Sequence, residues 1–196
     1  MRKLLVFNNV SVDGFIADAR GDMSWAHKSD PEWMAYVRGN ASGESHFLFG
    51  RKTYELMAAY WPTPAALQAN PPVAQRMNET PKVVFSRTLA NAAWQNTTVV
   101  REDVAGAVRN LKNEPGPGMV IFGSGTIVAL LASEGLIDEF QMVINPVALG
   151  SGRPMFAGLT RALTLETVGT RPFKNGNVVI TYRALPAARP QATTRT

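Results

Sequence analysis

The sequence predicts one α/β domain in which a mostly parallel β-sheet is flanked by helices and ends in an antiparallel β-hairpin. Short apolar runs alternate with segments of helical periodicity along most of the chain, which is typical of strand–helix–strand units. The clearest unit is the apolar run Met119 to Phe122, followed by a glycine turn and an apolar helical segment that ends near Gly135. The turn signal Lys174-Asn175-Gly176 separates two late alternating segments and predicts the hairpin.

The other elements follow in chain order. The apolar run from Lys3 to Val10 predicts the first strand, and Asp30 followed by Pro31 predicts a helix start, with a side-chain cap and a proline in the first turn. The glycine-punctuated stretch between them, 11–25, is predicted as a long loop of the kind that often carries function. Further strands are predicted at 46–49, 82–87, 97–100 and 139–144, further helices at 50–61 and 104–111, and the hairpin strands at 163–170 and 177–182.

Two segments are predicted to lack regular structure. Residues 62–81 are rich in proline, which predicts a loop with at most one or two helical turns around 73–77. Residues 184–196, rich in Ala, Pro and Thr, are predicted to form a flexible tail behind a single domain that spans 1–183.

Composition is that of an ordinary globular protein. The 196 residues are 45% hydrophobic and 18% charged, enough for one domain with a substantial core. The chain has no cysteine and two histidines, so a disulfide framework, a zinc ribbon, a thiol nucleophile and a histidine-rich metal site are not expected. The N-terminal apolar run is too short for a signal peptide and nothing approaches the length of a membrane span, so a cytoplasmic protein without a membrane partner is expected.

The basic character of the chain raises the question of nucleic acid. The net charge is +5 and the pI is near 9.8, but the basic residues are scattered and form no run of five or more. A solvated basic surface is therefore the preferred interpretation, and a nucleic-acid-binding module is favoured by the pI alone. Part of this charge can serve a smaller polyanion.

Three predicted strands end in groups suited to phosphate, namely Gly50 to Thr53, Ser86-Arg87 and Gly123 to Thr126. In a parallel sheet, ligands sit beyond the carboxyl ends of the strands, so these groups are expected on one edge. Glycine turns that open helices present free backbone N–H groups and the positive end of the helix dipole, and the side chains add cations and hydroxyls. The glycine turn is neither a Walker loop, because no Gly-Lys-Ser/Thr follows, nor a full dinucleotide fingerprint, because Val128 stands where the third glycine would be. An ordinary strand-to-helix corner is the competing interpretation.

The order of these segments resembles the dihydrofolate reductase-like fold. The motifs that carry the resemblance are Ser11-Val12-Asp13-Gly14, Met23-Ser24-Trp25, Gly50-Arg51-Lys52-Thr53-Tyr54, Ser86-Arg87 and Val120-Ile121-Phe122-Gly123-Ser124-Gly125. The chain is most similar to the reductase (C-terminal) domain of RibD, the deaminase–reductase of riboflavin biosynthesis, and to its stand-alone relatives, over residues 2–183. The resemblance implies NADPH-dependent hydride transfer to a small pyrimidine- or pteridine-like substrate, in a homodimer.

The resemblance also implies roles for individual residues. It places the pyrophosphate of NADPH on the glycine turn and its phosphates near the two other strand ends, with two residues lining the nicotinamide and a tryptophan closing the substrate side. The implied cofactor-binding residues are Ile16, Ala17, Arg51, Lys52, Thr53, Ser86, Arg87, Gly123, Ser124, Gly125 and Thr126, and the implied substrate residue is Trp25.

Two carboxylates are candidates for the proton donor, and the choice between them stays open. Asp13 belongs to the Ser-x-Asp-Gly signature of the riboflavin-type enzymes and is preferred, although a structural role in an Asp-Gly turn is the competing interpretation. Asp30 has the spacing from Trp25 that folate enzymes show, although Pro31 makes a plain N-cap at least as good an interpretation.

Departures from the folate pattern weaken one alternative. Folate enzymes hold the glutamate tail with an arginine after the second strand, and the segment 54–81 contains a single basic residue, Arg76, at no clearly matching position. Dihydrofolate reductase is therefore the weaker alternative within enzymes, and a catalytically inactive NADP-binding dimer is the alternative outside them. The alternating apolar residues Phe140, Met142 and Ile144 offer a strand face that a partner subunit could cover.

Overall fold

The computed structural model describes residues 1–26, 30–41, 45–123 and 125–186. The strands of the described residues, β1 to β10 in chain order, are Leu4–Ser11, Phe15–Ala17, Ser45–Gly50, Lys82–Phe85, Thr97–Val100, Gly118–Phe122, Glu139–Asn145, Arg153–Pro154, Leu165–Pro172 and Val178–Ala184. The helices, α1 to α6, are Pro31–Ala41, Arg51–Tyr60, Pro64–Ala69, Pro71–Glu79, Val104–Asn113 and Gly125–Ser133.

Eight strands form one sheet in the order β5-β4-β3-β6-β1-β7-β10-β9, and β2 pairs with β8 in a small separate sheet. The first six strands of this order, from β5 at the edge to β7, pair in parallel with their neighbours. Strand β10 pairs antiparallel with both β7 and β9. The mostly parallel sheet with an antiparallel C-terminal hairpin was predicted from the sequence, and the structure confirms it.

Both faces of the sheet are covered, which explains the continuous apolar runs of its central strands. On one face, α5 and α6 pack against a core that includes Leu4, Val6 and Ile121, all fully buried. On the other face, α2 and α4 cover β3 and β4, and α1 packs through Trp33 on Val143 of β7. This second face has two separate clusters, with a gap between them.

The proline-rich segment is more helical than predicted: α4 covers the helical turns expected around 73–77, but α3 forms where a loop was predicted. Proline lacks an N–H but is preorganised for the first helical turn, where the N–H has no helical partner. Here Pro64 opens α3, capped by the Thr63 hydroxyl, which accepts the N–H of Ala66 at 3.3 Å, and Pro71 and Pro72 open α4. The prolines mark where helices begin rather than where helix is excluded.

Two further expectations need correction. The stretch 11–25 is not all loop, since β2 lies within it and pairs with β8, a contact between distant segments that local pattern does not show. Phe140 of β7 is 0% exposed and packs in the α5/α6 core, and the partly buried Met142 and Ile144 pack against the same cluster, so this face is directed towards the core of its own chain.

The chain end is ordered slightly further than expected. Strand β10 extends to Ala184, which pairs with Leu165, and residues 187–196 of the predicted tail lie outside the described residues. In the described part of the chain, no helix is long and apolar enough to cross a membrane.

Candidate active site at the carboxyl edge of the sheet

Three neighbouring strands, β4, β3 and β6, end within one residue of one another at the carboxyl edge of the sheet, beside β1, which continues to Ser11. Phe85 of β4 is in register with Gly50 of β3, and Phe122 of β6 is in register with both Phe49 of β3 and Phe7 of β1. The residues that follow these positions therefore come together. They border a cavity of about 950 Å³ that opens at this edge.

The glycine turn after β6 is held in a conformation that favours glycine. Gly123 has φ +64°, and a Cβ there would lie 2.7 Å from Oγ1 of Thr53 on α2. Its N–H donates to Oδ1 of Asn8 at 2.6 Å, which ties the turn to β1. Gly125 opens α6 close to the backbone of β8, and a Cβ on Gly125 would lie 2.9 Å from the carbonyl oxygen of Pro154. Close packing of the turn against α2 and β8 therefore requires both glycines. The residue between them, Ser124, lies outside the described residues.

Helix α2 begins at the same edge. Its N-cap is Gly50, which supplies no side-chain hydrogen bond, so first-turn N–H groups have no cap from that side chain. Arg51, Lys52 and Thr53 all line the cavity, and Arg51 forms an exposed i,i+4 ion pair with Glu55 at 3.7 Å. An open helix N-terminus with two cations in its first turn favours an anionic ligand group.

The end of β4 contributes a turn as well as a polar side chain. Ser86 lines the cavity, and its hydroxyl accepts the N–H groups of Thr88 at 3.2 Å and Leu89 at 2.9 Å. Arg87 is exposed and lies outside the cavity lining, whereas Thr88 borders it. The hydroxyl of Ser86 therefore shapes the turn that carries the two residues after it.

The small sheet forms the opposite wall. Ile16 and Ala17 of β2 are buried and line the cavity, as predicted for a ring-binding wall. Strand β8 lies against them so closely that a Cβ on Gly152 would meet the carbonyl oxygen of Ala17 at 2.2 Å. This contact places the side chain of Arg153 at the cavity as well.

Trp25 does not border the cavity. It lies in a 3₁₀ turn, Ser24–Ala26, and its indole N–H donates to the carbonyl oxygen of Asp22 at 3.2 Å. Met23, two residues earlier, lines the cavity instead. The structure therefore brings Ile16, Ala17, Arg51, Lys52, Thr53, Ser86, Gly123, Gly125 and Thr126 to one cavity but leaves Trp25 and Arg87 outside it.

Asp13 anchors a loop rather than facing the cavity. Its carboxylate accepts the hydroxyl of Ser11 at 2.6 Å and the backbone N–H groups of Leu149 at 3.0 Å and Gly150 at 2.7 Å. These hydrogen bonds, that of Ser11 first, hold the pKa of Asp13 below its ordinary value. The side chain is exposed, and at neutral pH it is an ionised acceptor that fixes the loop before β8.

Asp30 caps α1. Its Oδ1 accepts the N–H groups of Glu32 at 2.9 Å and Trp33 at 3.0 Å, which is the geometry of an N-cap. It does not line the cavity. Neither candidate acid therefore lies where this geometry would let it donate a proton directly to a ligand in the cavity.

The comparison with known families decides the relationship. A family model described as the RibD C-terminal domain matches residues 2–179. The chain belongs to the RibD C-terminal domain family. Two relatives from Bacillus subtilis (strain 168), the uncharacterized proteins YyaP and YwjB, are each 29% identical to it. The alignment with YyaP covers 92% of this chain and 94% of the relative, and that with YwjB covers 88% and 92%.

Solved structures share the dihydrofolate reductase-like fold of this RibD-type chain. A Shewanella sp. PV-4 protein named for riboflavin biosynthesis has a TM-score of 0.69 at 21% identity, covering 94% of this chain and 99% of that one. A pyrimidine reductase-like protein from Corynebacterium diphtheriae has a TM-score of 0.63 at 11% identity, with 94% and 92% covered. The Thermotoga maritima diaminohydroxyphosphoribosylaminopyrimidine deaminase/5-amino-6-(5-phosphoribosylamino)uracil reductase has a TM-score of 0.63 at 15% identity, with 94% and 57% covered.

Two residues of this RibD-type site were missed by sequence reasoning. Asn8 is 4% exposed and directly follows the apolar run Leu4 to Phe7, which is a usable signal, because a buried amide needs hydrogen-bond partners. Its Nδ2 donates to Sδ of Met155 at 2.9 Å while its Oδ1 holds Gly123. Arg153 follows a glycine-rich loop and has no comparable signal, since only the pairing of β8 with β2 brings it to the cavity.

Proposed function

We propose that this RibD-type protein is an NADPH-dependent reductase that resembles 5-amino-6-(5-phosphoribosylamino)uracil reductase and transfers hydride to a pyrimidine- or pteridine-like substrate. The observation that carries the proposal is that β4, β3 and β6 end together at one edge of the sheet, beside β1. It places a glycine turn, an open helix N-terminus with two cations and an apolar wall around one cavity. Membership of the family and the names of its structural relatives support an oxidoreductase.

The residues present fit the cofactor. A Cβ at Gly123 or Gly125 would collide with Thr53 or with the backbone at Pro154, so both glycines allow the turn to pack tightly against α2 and β8. The first turns of α6 and α2 would hold the pyrophosphate, and Arg51 and Lys52 would pair with phosphate charge. Ile16 and Ala17 would pack on the nicotinamide. When bound, NADPH supplies the hydride to a C=N carbon of the substrate and leaves as NADP⁺, while the nitrogen takes up a proton.

Water supplies that proton in our proposal. Of the residues that line the cavity in the described part of the chain, none is Asp, Glu or His. Asp13 is ionised and engaged by two backbone N–H groups, and Asp30 is engaged by the start of α1.

The proposal is tested by following NADPH oxidation by the purified protein against pyrimidines, pteridines and dihydrofolate. Turnover with a pyrimidine or pteridine and little with dihydrofolate is expected. The basic residues that line the cavity in the described part of the chain, Arg51, Lys52 and Arg153, lie at the edge where the cofactor phosphates would bind, which leaves none to hold a glutamate tail. Faster turnover with dihydrofolate would support the folate alternative instead. Tight NADPH binding with no oxidation of any substrate would support the alternative of an NADP-binding protein without catalysis.

A further inference from the structure

The cavity continues from the glycine turn along one face of the sheet, where its base is apolar. The strand register aligns Phe47 of β3, Val120 of β6 and Leu5 of β1 in one row, and Phe122 of β6 and Phe7 of β1 in the next. All five side chains line the cavity. We call these five residues the apolar floor.

The floor lies on interior strands yet stays partly open. On the opposite face of the same strands, Leu4 and Ile121 are fully buried beneath α5 and α6, whereas the floor residues of β1 and β6 keep partial exposure. The floor lies in the gap between α1 on one side and α2 with α4 on the other. A concave apolar surface on the central strands of a sheet is typical of a site that a ligand covers.

Charge is concentrated away from the floor. Among the described residues that line the cavity, the charged ones are Arg51, Lys52 and Arg153, all at the edge where the glycine turn lies. Arg76 of α4 lies outside the lining and contacts the ring of Phe47, with its guanidinium carbon 5.8 Å from the ring centroid. A phosphate over the floor would lose its hydration without gaining an ion pair from the lining, which is unfavourable.

The polar groups beside the floor are neutral. Gln141 of β7 is in register with Phe7, and Asn40 of α1 donates from its Nδ2 to Oε1 of Gln141 at 3.0 Å. Both side chains line the cavity. Two adjacent amides offer donors and acceptors to the carbonyl or N–H edge of a ring, and they recognise such an edge without requiring a charge.

We infer that the apolar floor binds the hydride acceptor as an uncharged planar ring compound, without a phosphoribosyl group. The ring lies across the two rows of floor residues, and its polar edge bonds to Asn40 and Gln141. The inference rests on the proposed function, because the hydride donor occupies the charged end of the same cavity. It narrows the substrate class to molecules that bind through ring area and amide hydrogen bonds.

The binding test compares neutral and phosphorylated probes by titration calorimetry, with and without NADP⁺. The neutral probes are pterin and 2-methyl-1,4-naphthoquinone, and the charged probe is 5-amino-6-(5-phosphoribosylamino)uracil. At least one neutral probe should bind about tenfold more tightly than the charged one, because the cavity lining over the floor offers ring contacts but no cation. Equal or tighter binding of the charged probe, or no binding of either neutral probe, overturns the inference.

A matched pair of variants locates the site. Leu56 of α2 lines the cavity and is 60% exposed, whereas Leu67 of α3 is 43% exposed and lies outside the lining, so glutamate at either position leaves the core intact. Leu56→Glu should weaken binding of the neutral probe by about tenfold, and Leu67→Glu should leave it unchanged. An unchanged dissociation constant in Leu56→Glu overturns the placement.

The affinity for NADPH is measured separately on the same samples and keeps the two proposals apart. A neutral probe that binds to a protein without affinity for NADPH would sink the proposed function and leave the floor as a ring-binding site. Affinity for NADPH without binding of either neutral probe would overturn the floor as a ring-binding site and leave the proposed function standing.

Discussion

Replacing Asn8 with leucine should loosen the glycine turn from inside the sheet. Asn8 is 4% exposed in the middle of β1, and its Oδ1 accepts the N–H of Gly123 at 2.6 Å. Leucine has a similar volume but no acceptor, so the substitution removes the hydrogen bond without opening a large cavity. The N–H of Gly123 then loses its partner, and the turn loses its tie to β1.

The size of the effect follows from the geometry. A partly buried N–H left without an acceptor costs about 1–3 kcal/mol of folding free energy. For a chain of this length, each kcal/mol corresponds to a fall in melting temperature of about 2–4 °C. The turn would also lose its preset orientation, and we expect the affinity for NADPH to fall by about tenfold, or ~1.4 kcal/mol.

The assay combines thermal unfolding with calorimetric titration of NADPH, and Asn145→Leu serves as the matched control. Asn145 is another buried asparagine and lies at the end of β7. Its Nδ2 donates to the carbonyl oxygen of Val143 and to Oδ1 of Asn9, but Asn145 does not line the cavity. Both variants should lose stability, and Asn8→Leu alone should lose affinity for NADPH. Equal affinities in Asn8→Leu and the unchanged protein would refute the claim that Asn8 positions the turn.

Three further predictions concern protons and assembly. Asp13→Asn and Asp30→Asn should each keep turnover within about tenfold of the unchanged protein at saturating substrate, because neither residue is the proposed proton donor. Loss of a general acid typically lowers the rate by about a hundredfold or more, so a loss of that size at unchanged melting temperature would identify that residue as the proton donor. Burial lowers the pKa of Lys82 from 10.5 to about 8, so the unfolded chain binds more protons than the folded chain between these pH values. The free energy of unfolding should therefore rise with pH across that window, relative to Lys82→Met. A difference that does not change with pH in urea titrations would mean that the lysine stays charged, held by the carbonyl oxygens of Asn78, Thr80 and Gln95, which accept hydrogen bonds from its Nζ. We also propose a homodimer at micromolar concentration, and a light-scattering mass near the 21.3 kDa of one chain would rule it out.

Local pattern was sufficient for the strands and for the edge of the sheet where the site lies. The run Met119 to Phe122 is apolar at every position because one face of β6 packs in the α5/α6 core and the other forms part of the apolar floor. The rule that ligands sit beyond parallel strand ends then places the glycine turn. The same rule grouped Arg51 and Ser86 with it correctly, since β4, β3 and β6 are neighbours.

Local pattern failed where long-range contacts decide the outcome. The pairing of β2 with β8 joins segments far apart in the chain. Only this pairing sets the position of Arg153 relative to the cavity wall at Ile16. The prolines of α3 and α4 were misinterpreted because the same residue both ends a helix and begins one, and only the preceding Thr63 cap distinguishes the two cases for α3.

The inward direction of Phe140 shows the limit of alternation as a signal. Alternating apolar residues on a strand predict one apolar face, but they do not say whether that face meets a helix of the same chain or a partner subunit. In this fold α5 and α6 cover it, and Phe140 is fully buried.

The central claim is that the carboxyl edge of the sheet binds the phosphates of NADPH. The most direct measurement is calorimetric titration of NADPH and NADH at low salt, for the unchanged protein, for Lys52→Gln and for Lys174→Gln, whose exposed side chain lies in the distant hairpin turn. We predict that NADPH binds at least about tenfold more tightly than NADH, ~1.4 kcal/mol, that Lys52→Gln reduces this preference, and that Lys174→Gln does not. Added salt should also reduce it. Equal dissociation constants for the two nucleotides at low salt would contradict the account.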